Sequence, residues 1–69
     1  MNYNYSKLLG RIRERGITQE QLATAIGKNK GTLSAKLNGH VPFTSKEIDD
    51  ISRVLDISNN EIGDYFFAR

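Results

Sequence analysis

Apolar residues recur at helical spacing in five short segments of the chain, and no segment shows the strict alternation of a strand. The first segment runs from Tyr5 to Arg15 and the third from about Asn29 to Asn38. The apolar positions, in chain order, are Leu8, Leu9 and Ile12; Leu22, Ala23 and Ile26; Leu33 and Leu37; Ile48, Ile51 and Leu55; and Ile62, Tyr65 and Phe66. The pattern predicts an all-α fold of five short helices around one core of about fifteen apolar residues.

Helix start and stop signals separate the five segments. Capping-box pairs precede the second, fourth and fifth helices: Thr18 with Gln21, Thr44 with Glu47, and Ser58 with Glu61. A glycine follows each of the first three helices: Gly16, Gly27 and Gly39. The segment 40–43 is predicted to be an extended loop, because Pro42 disfavours helix in the residue before it.

The length of 69 residues indicates one domain, spanning residues 1–69. A chain this short buries only about 60% of its unfolded surface, so its stability is expected to be marginal. The sequence has no cysteine and one histidine, His40, which excludes disulfides and makes a metal site or other cofactor unexpected. Helix packing and oligomerisation remain as the means of stabilisation.

The net charge of +2 conceals an asymmetry along the chain. Residues 1–46 carry eight basic and two acidic side chains (+6), whereas residues 47–69 carry two basic and six acidic ones (−4). This division predicts a molecule whose first part faces a polyanion and whose second part faces away. The alternative is a mixed, solvated surface.

The second and third helices are joined by a tight connection at Gly27 and Lys28. Two short helices cross closely when the first has a small residue at the contact, here Ala23, and the turn tolerates unusual dihedral angles, here at Gly27. The start of the third helix is then expected to project outwards. Its side chains are short or basic, unlike a surface meant for the core: Lys30, Gly31, Thr32, Ser34 and Ala35.

The stretch Gln19-Glu-Gln-Leu-Ala-Thr-Ala-Ile-Gly-Lys-Asn-Lys-Gly-Thr-Leu-Ser-Ala-Lys-Leu-Asn-Gly39 resembles the helix-turn-helix of lambda-repressor and Cro-type phage regulators. The resemblance continues through Val54-Leu-Asp-Ile-Ser58 and covers roughly residues 5–66. It implies a lambda-repressor-like domain with the third helix in the DNA major groove and the amino end of the second on a phosphate. Lys28 and Lys36 depart from the pattern, since these positions are commonly apolar in the family; Leu37 is expected to take over the packing.

The predicted DNA-binding residues follow from this arrangement. Lys30 and Thr32, then Ser34 and Ala35, are candidates to contact base edges, with a solvated surface lysine as the alternative for Lys30. Gly31 fits either close approach to DNA or simple tolerance near a helix start. The resemblance makes Gln19 a phosphate contact. Asn29, Lys36 and Asn38 flank the third helix and suit phosphate contacts, with a plain helix terminus as the alternative for Asn38. Lys28 is a further predicted DNA-binding residue, and His40 is either a loop histidine near a phosphate or a solvent-exposed one.

The run Tyr65-Phe66-Phe67 predicts a subunit interface. Successive helical residues point about 100° apart, so three adjacent aromatic side chains cannot all face one core. We expect Phe67 or Tyr65 to be exposed and assign all three residues to a homodimer contact. The alternative is completion of the core by Phe66, with fraying of the chain end.

The function predicted from these features is a sequence-specific transcriptional repressor of phage Cro type, bound to a double-stranded DNA operator. The shortness of the chain favours a small Cro-like repressor. Residues for acid–base or nucleophilic catalysis are not assembled, so an enzyme with a small-molecule substrate is not expected. Apolar runs and the first residues indicate neither a membrane span nor a signal peptide, which favours the cytoplasm of a bacterial host. The rival function is a helical protein-interaction module, antitoxin-like or a regulatory partner; RNA binding is a weaker rival.

Overall fold

Five α-helices make up most of the chain in a computed structural model that describes residues 3–69. They are α1 Ser6–Glu14, α2 Gln19–Ala25, α3 Lys30–Leu37, α4 Ser45–Leu55 and α5 Ile62–Phe66, with a 3-10 turn at Asn59–Glu61 before α5. No strand occurs in these residues, so the predicted all-α, five-helix class is confirmed. None of the five helices is long and apolar enough to cross a membrane.

Two of the predicted capping boxes form with both of their hydrogen bonds. Ahead of α2, the Gln21 N–H donates to Thr18 Oγ1 at 3.0 Å, and the Thr18 N–H donates to Gln21 Oε1 at 2.8 Å. Ahead of α4, the Glu47 N–H donates to Thr44 Oγ1 at 3.2 Å, and the Thr44 N–H donates to Glu47 Oε1 at 2.8 Å. Local sequence therefore determines where these two helices begin.

The third box opens the 3-10 turn and not an α-helix. The hydroxyl of Ser58 donates to Glu61 Oε1 at 2.7 Å, but the Glu61 N–H donates to the Ser58 carbonyl oxygen at 2.9 Å. That backbone bond is the tighter pairing of a 3-10 turn, and it delays α5 to Ile62. The fifth helix is consequently only five residues long.

The core takes side chains from all five helices and from the residues that flank them. Leu8, Leu22, Leu33, Ile51 and Leu55 are fully enclosed. The other buried apolar residues are Tyr5, Ile12, Ala23, Ile26, Leu37, Ile57, Tyr65 and Phe66. Leu9, Ile48 and Ile62, which were expected inside, are only partly buried against this core.

A buried ion pair joins the last turn of α3 to the first turn of α4. Lys36 is 8% exposed and Glu47 is 4% exposed. The ammonium of Lys36 donates to both carboxylate oxygens of Glu47, at 2.6 Å for Oε2. Lys28, in the turn before α3, has its Nζ 3.9 Å from the same Oε2. Glu47 thus interacts with a lysine near each end of α3, Lys28 before its start and Lys36 in its last turn.

The protonation of Glu47 is set by two opposing effects. Burial raises the pKa of this carboxyl, but hydrogen bonds from Lys36 and Thr44 outweigh burial and hold the pKa below its ordinary value of 4.5. The carboxylate is therefore charged at neutral pH, as an ion pair requires.

Breaking this pair on one side is expected to be far more destabilising than replacing both partners. Lys36→Ala leaves a buried carboxylate without its cation, which costs about 3–5 kcal/mol, whereas Lys36→Met with Glu47→Leu is expected to be neutral or stabilising by about 1–4 kcal/mol. Urea unfolding followed by helical circular dichroism measures both. Equal losses for the single and double variants would show that the pair is not buried in solution.

The ion pair also predicts a specific dependence on pH. The pKa of Glu47 is lower in the folded chain than its ordinary 4.5, so its stabilisation is complete above that value and is lost as the pH falls through the folded-state pKa. From about pH 7 to about pH 3, the parent should lose more free energy of unfolding than Lys36→Met/Glu47→Leu. Parallel curves for the two proteins would refute this assignment.

Candidate nucleic-acid interface

The turn between α2 and α3 is built from local hydrogen bonds. Gly27 has a φ of +74°, a conformation that favours glycine, and lets the chain reverse after Ile26. The Lys28 N–H then donates to the carbonyl oxygen of buried Ala23 at 2.8 Å. Next, the Asn29 side chain caps α3 by accepting the Thr32 N–H at 2.7 Å. These bonds fix the start of α3 against α2, the two helices that pack together most extensively.

The two sides of α3 differ in the way that the sequence predicts. Leu33 and Leu37 point into the core. Lys30 and Gly31 are exposed, while Thr32, Ser34 and Ala35 are half-buried. We call the surface formed by Lys30, Gly31, Thr32, Ser34 and Ala35 the α3 face. This face carries small polar or apolar side chains and one cation.

Two of the predicted DNA-binding residues, Lys28 and Asn29, immediately precede α3, and a third, Gln19, begins α2. Gln19, the first residue of α2, is half-buried, and its neighbour in space is Arg13, with which it lines a shallow groove. Asn29 is exposed but uses its side-chain oxygen for the helix cap, which leaves its amide hydrogens to donate. Lys28 is partly exposed, and its ammonium lies 3.9 Å from Glu47.

Two further candidates follow α3. Asn38 is exposed and ends the helix, and its amide donates to Ser34 Oγ at 3.4 Å. The His40 N–H donates to the Ala35 carbonyl oxygen at 2.9 Å, and its ring is in the exposed loop. Both side chains lie at the carboxyl end of the α3 face.

Lys36 is not on this surface, and its assignment as a phosphate contact is wrong. Its side chain is buried, 8% exposed, between α3 and α4. Its ammonium donates to the carboxylate of Glu47 in the first turn of α4. In the sequence, Glu47 is recognisable only as a capping residue. The signal for its second role is Lys36 itself, because a lysine at a core position of α3 requires a buried carboxylate partner.

The prediction that Tyr65, Phe66 and Phe67 all lie at a homodimer contact also needs correction. Phe66 is 1% exposed and Tyr65 is 8% exposed, so these two residues belong to the core and not to a free interface. Phe66 packs edge-to-face on Phe43, with ring centroids 5.5 Å apart, and the ammonium of Lys7 lies 4.8 Å from the Tyr65 ring centroid. Phe67 alone remains on the surface, 49% exposed.

No three histidine, cysteine, aspartate or glutamate side chains in residues 3–69 are grouped to hold a metal ion. The α3 face offers hydrogen bonds, one cation and small apolar contacts, which are the interactions used to recognise base edges.

A solved structure with the same architecture comes from a phage. The chain is 42% identical to the modulator of repression (MOR) of the temperate bacteriophage TP901-1 from Lactococcus lactis, whose solution structure superimposes with a TM-score of 0.80. The match covers 97% of this chain and 90% of that chain.

Partial similarity extends to two fungal cyanate hydratases. The chain is 40% identical over 48 residues to the enzyme of Laccaria bicolor, covering 70% of this chain and 29% of the enzyme. For the enzyme of Coprinopsis cinerea the identity is 33% over 57 residues, covering 77% of this chain and 38% of the enzyme. The chain thus spans about a third of the length of these relatives.

The family described as "Protein of unknown function (DUF739)" matches residues 1–69, and the chain belongs to this family.

Proposed function

We propose that this chain regulates phage transcription by binding double-stranded operator DNA through the α3 face, as a Cro-type repressor does. The observation that supports the proposal most strongly is the α3 face, a helix surface of small or hydrogen-bonding side chains with one cation. Packing of α3 against α2 keeps this side of the helix directed to solvent. The similarity to a phage modulator of repression supports a regulatory role. Occupancy of an operator by a bound protein would then block transcription.

The contacts follow from the chemistry of the major groove, which admits an α-helix. The ammonium of Lys30 would donate to guanine O6 and N7, and Thr32 would offer a hydroxyl and a methyl group to a neighbouring base pair. Ala35 is small enough to meet a thymine methyl. Gln19 and Asn29 would donate to phosphates and so fix the position of the helix along the groove.

Long-range charge orients this encounter. Residues 1–46, which include α3, have a net charge of +6 that attracts the phosphate backbone. Residues 47–69 have a net charge of −4, which disfavours their approach to DNA. With Lys36 withdrawn to Glu47, the α3 face itself presents Lys30 as its cation. Few phosphates are then neutralised, and affinity should fall only moderately as salt rises.

A second candidate is a protein-interaction module that acts on another regulator. The name of the TP901-1 protein describes modulation of repression, which fits an action on a repressor as well as on DNA. The single cation of the α3 face favours this alternative, because specific DNA binders usually make several phosphate contacts.

The test of DNA binding is selection of duplexes from a random-sequence library at about 0.1 M salt, followed by fluorescence anisotropy on the selected duplex. Lys30→Ala should weaken binding by about 1–3 kcal/mol and relax preference at one base position. Arg53→Ala is the matched control, since Arg53 is an exposed cation in the acidic part, paired with Asp49 at 3.0 Å. Its effect should be small.

Two results would reject the proposal in favour of the protein module. One is selection that recovers no duplex bound better than random DNA. The other is a selected duplex whose affinity responds equally to Lys30→Ala and Arg53→Ala, since that response reports only net charge.

Gly31 offers an independent test, because a methyl group there meets only Asn29 Oδ1 at 3.5 Å within the protein. Gly31→Ala should stabilise the chain by up to about 1 kcal/mol, the helix-propensity difference. If the backbone approaches the bases closely, the same variant should lose affinity for the selected duplex. Gly10→Ala, in α1 with open space at its Cβ, is the control and should gain stability without losing affinity. Unchanged affinity of Gly31→Ala would exclude close approach.

A further inference from the structure

A shallow apolar groove lies between the end of α1 and the start of α2. Its sides are formed by Leu9, Ile12 and Ile17, and Arg13 and Gln19 complete its rim. Leu9 and Ile17 are only partly buried, so the groove presents aliphatic carbon to solvent. Its volume is about 170 Å³, and cavities of about 150 Å³ accommodate a benzene ring. One aromatic side chain would fit.

The rim of the groove is positively charged. Arg13 is exposed and forms no ion pair with any of residues 3–69, and the same holds for Arg15 at the end of α1. The nearby Arg11 is different, because its guanidinium is paired with Glu14 at 2.6 Å and also donates to the Leu55 carbonyl oxygen at 2.9 Å. The groove is thus suited to an apolar group that has a carboxylate beside it.

The opposite end of the chain carries such a group. Phe67 follows α5, and its N–H donates to the Gly63 carbonyl oxygen at 3.0 Å, which continues the helical path. Asp64 lies three residues earlier and therefore on the same side of the helix. The Asp64 side chain is 67% exposed, and its Oδ2 lies 3.8 Å from the Lys7 Nζ. Because both side chains are exposed to solvent, this ion pair is weak.

The geometry points to self-association in which Phe67 of one copy inserts into the groove of a second copy, with Asp64 against Arg13 of the rim. The charge pairing of this contact is local: the Asp64 carboxylate, which lies 3.8 Å from the Lys7 ammonium in its own copy, would face the Arg13 guanidinium of the second copy. Reciprocal insertion in both directions closes a two-fold dimer. This interface contains no residue of the α3 face, although Gln19, proposed above as a phosphate contact, lies on the rim of the groove.

The proposed contact is small and depends on one anchor. Phe67 is held at its edge by Tyr3, with ring centroids 5.5 Å apart, so part of its conformational freedom is already lost before association. A pre-positioned aromatic side chain entering an apolar pocket is the usual centre of a protein interface. Association is therefore expected at concentrations below roughly 1 mM, with strong dependence on this residue.

The first step of the test is sedimentation equilibrium of the full chain without DNA. Phe67→Ser removes the inserted ring, and Arg13→Glu reverses the charge that faces Asp64; each should weaken association by about tenfold or more. Val41→Ser and Arg53→Glu are the matched controls. Val41 is the other exposed large hydrophobic residue, 44% exposed, and Arg53 is an exposed cation of the acidic part.

The decisive step mixes the two weakened variants. A Phe67→Ser copy keeps its groove and an Arg13→Glu copy keeps its ring, so one intact contact becomes possible only between unlike copies. The mixture should form heterodimers at concentrations where each variant alone stays monomeric. Helical circular dichroism of each variant, expected to match the parent, verifies that both are folded.

Three outcomes would overturn the proposal. They are a parent chain that stays monomeric to roughly 1 mM, controls that lose as much association as the test variants, and a mixture that fails to restore association. Because DNA is absent throughout, these outcomes leave the proposed DNA binding untouched. A chain that dimerises in this way and binds no duplex would reject only the proposed function.

Discussion

The carboxylate of Glu47 is the point on which the position of α3 depends. Both of its oxygens accept hydrogen bonds from the Lys36 ammonium, and Oε1 also accepts the N–H of Thr44, the residue that caps α4. The ammonium of Lys28 lies 3.9 Å from Oε2. Apolar packing tolerates sliding and rotation, whereas a buried ion pair requires one geometry to avoid an uncompensated charge. A single side chain therefore relates the α2–α3 turn, the end of α3 and the start of α4.

This constraint also determines which surface the chain offers. Withdrawing Lys36 into the interior turns its side of α3 inwards, and the opposite side becomes the exposed α3 face. The face then depends on hydrogen bonds and shape, with Lys30 as its cation. For the proposed DNA binding, such a face would distinguish sequences better than it attracts DNA in general, because base edges carry the sequence information and phosphates do not.

Local signals made most of the helix boundaries predictable. Thr18 and Thr44 begin their helices with hydrogen bonds to residues three positions away, which a sequence displays directly. The end of α4 was less visible, since Asp56 adopts a left-handed conformation with a φ of +55° where glycine is usual. Capping is a short-range effect, and short-range effects are legible in one sequence.

The errors in the candidate site have a different origin. The outward orientation of Lys30 and Gly31 followed from helical periodicity, but the burial of Lys36 depends on a partner eleven residues away and on another helix. The run Tyr65-Phe66-Phe67 is a second case. Its helical spacing predicts that one of the three rings is exposed, but not which one. Phe66 packs on Phe43 and Tyr65 lies under Lys7, so the exposed ring is that of Phe67. Tertiary neighbours, which local patterns do not contain, settle such cases.

NMR mapping of backbone amide shifts, as a selected duplex is added, tests most directly whether duplex DNA binds the α3 face. Binding there should produce the largest changes in residues 28–35, with further changes at Gln19 and nearly unchanged amides in α5. Changes concentrated in α5 or in α1, with residues 28–35 unaffected, would contradict DNA binding through the α3 face.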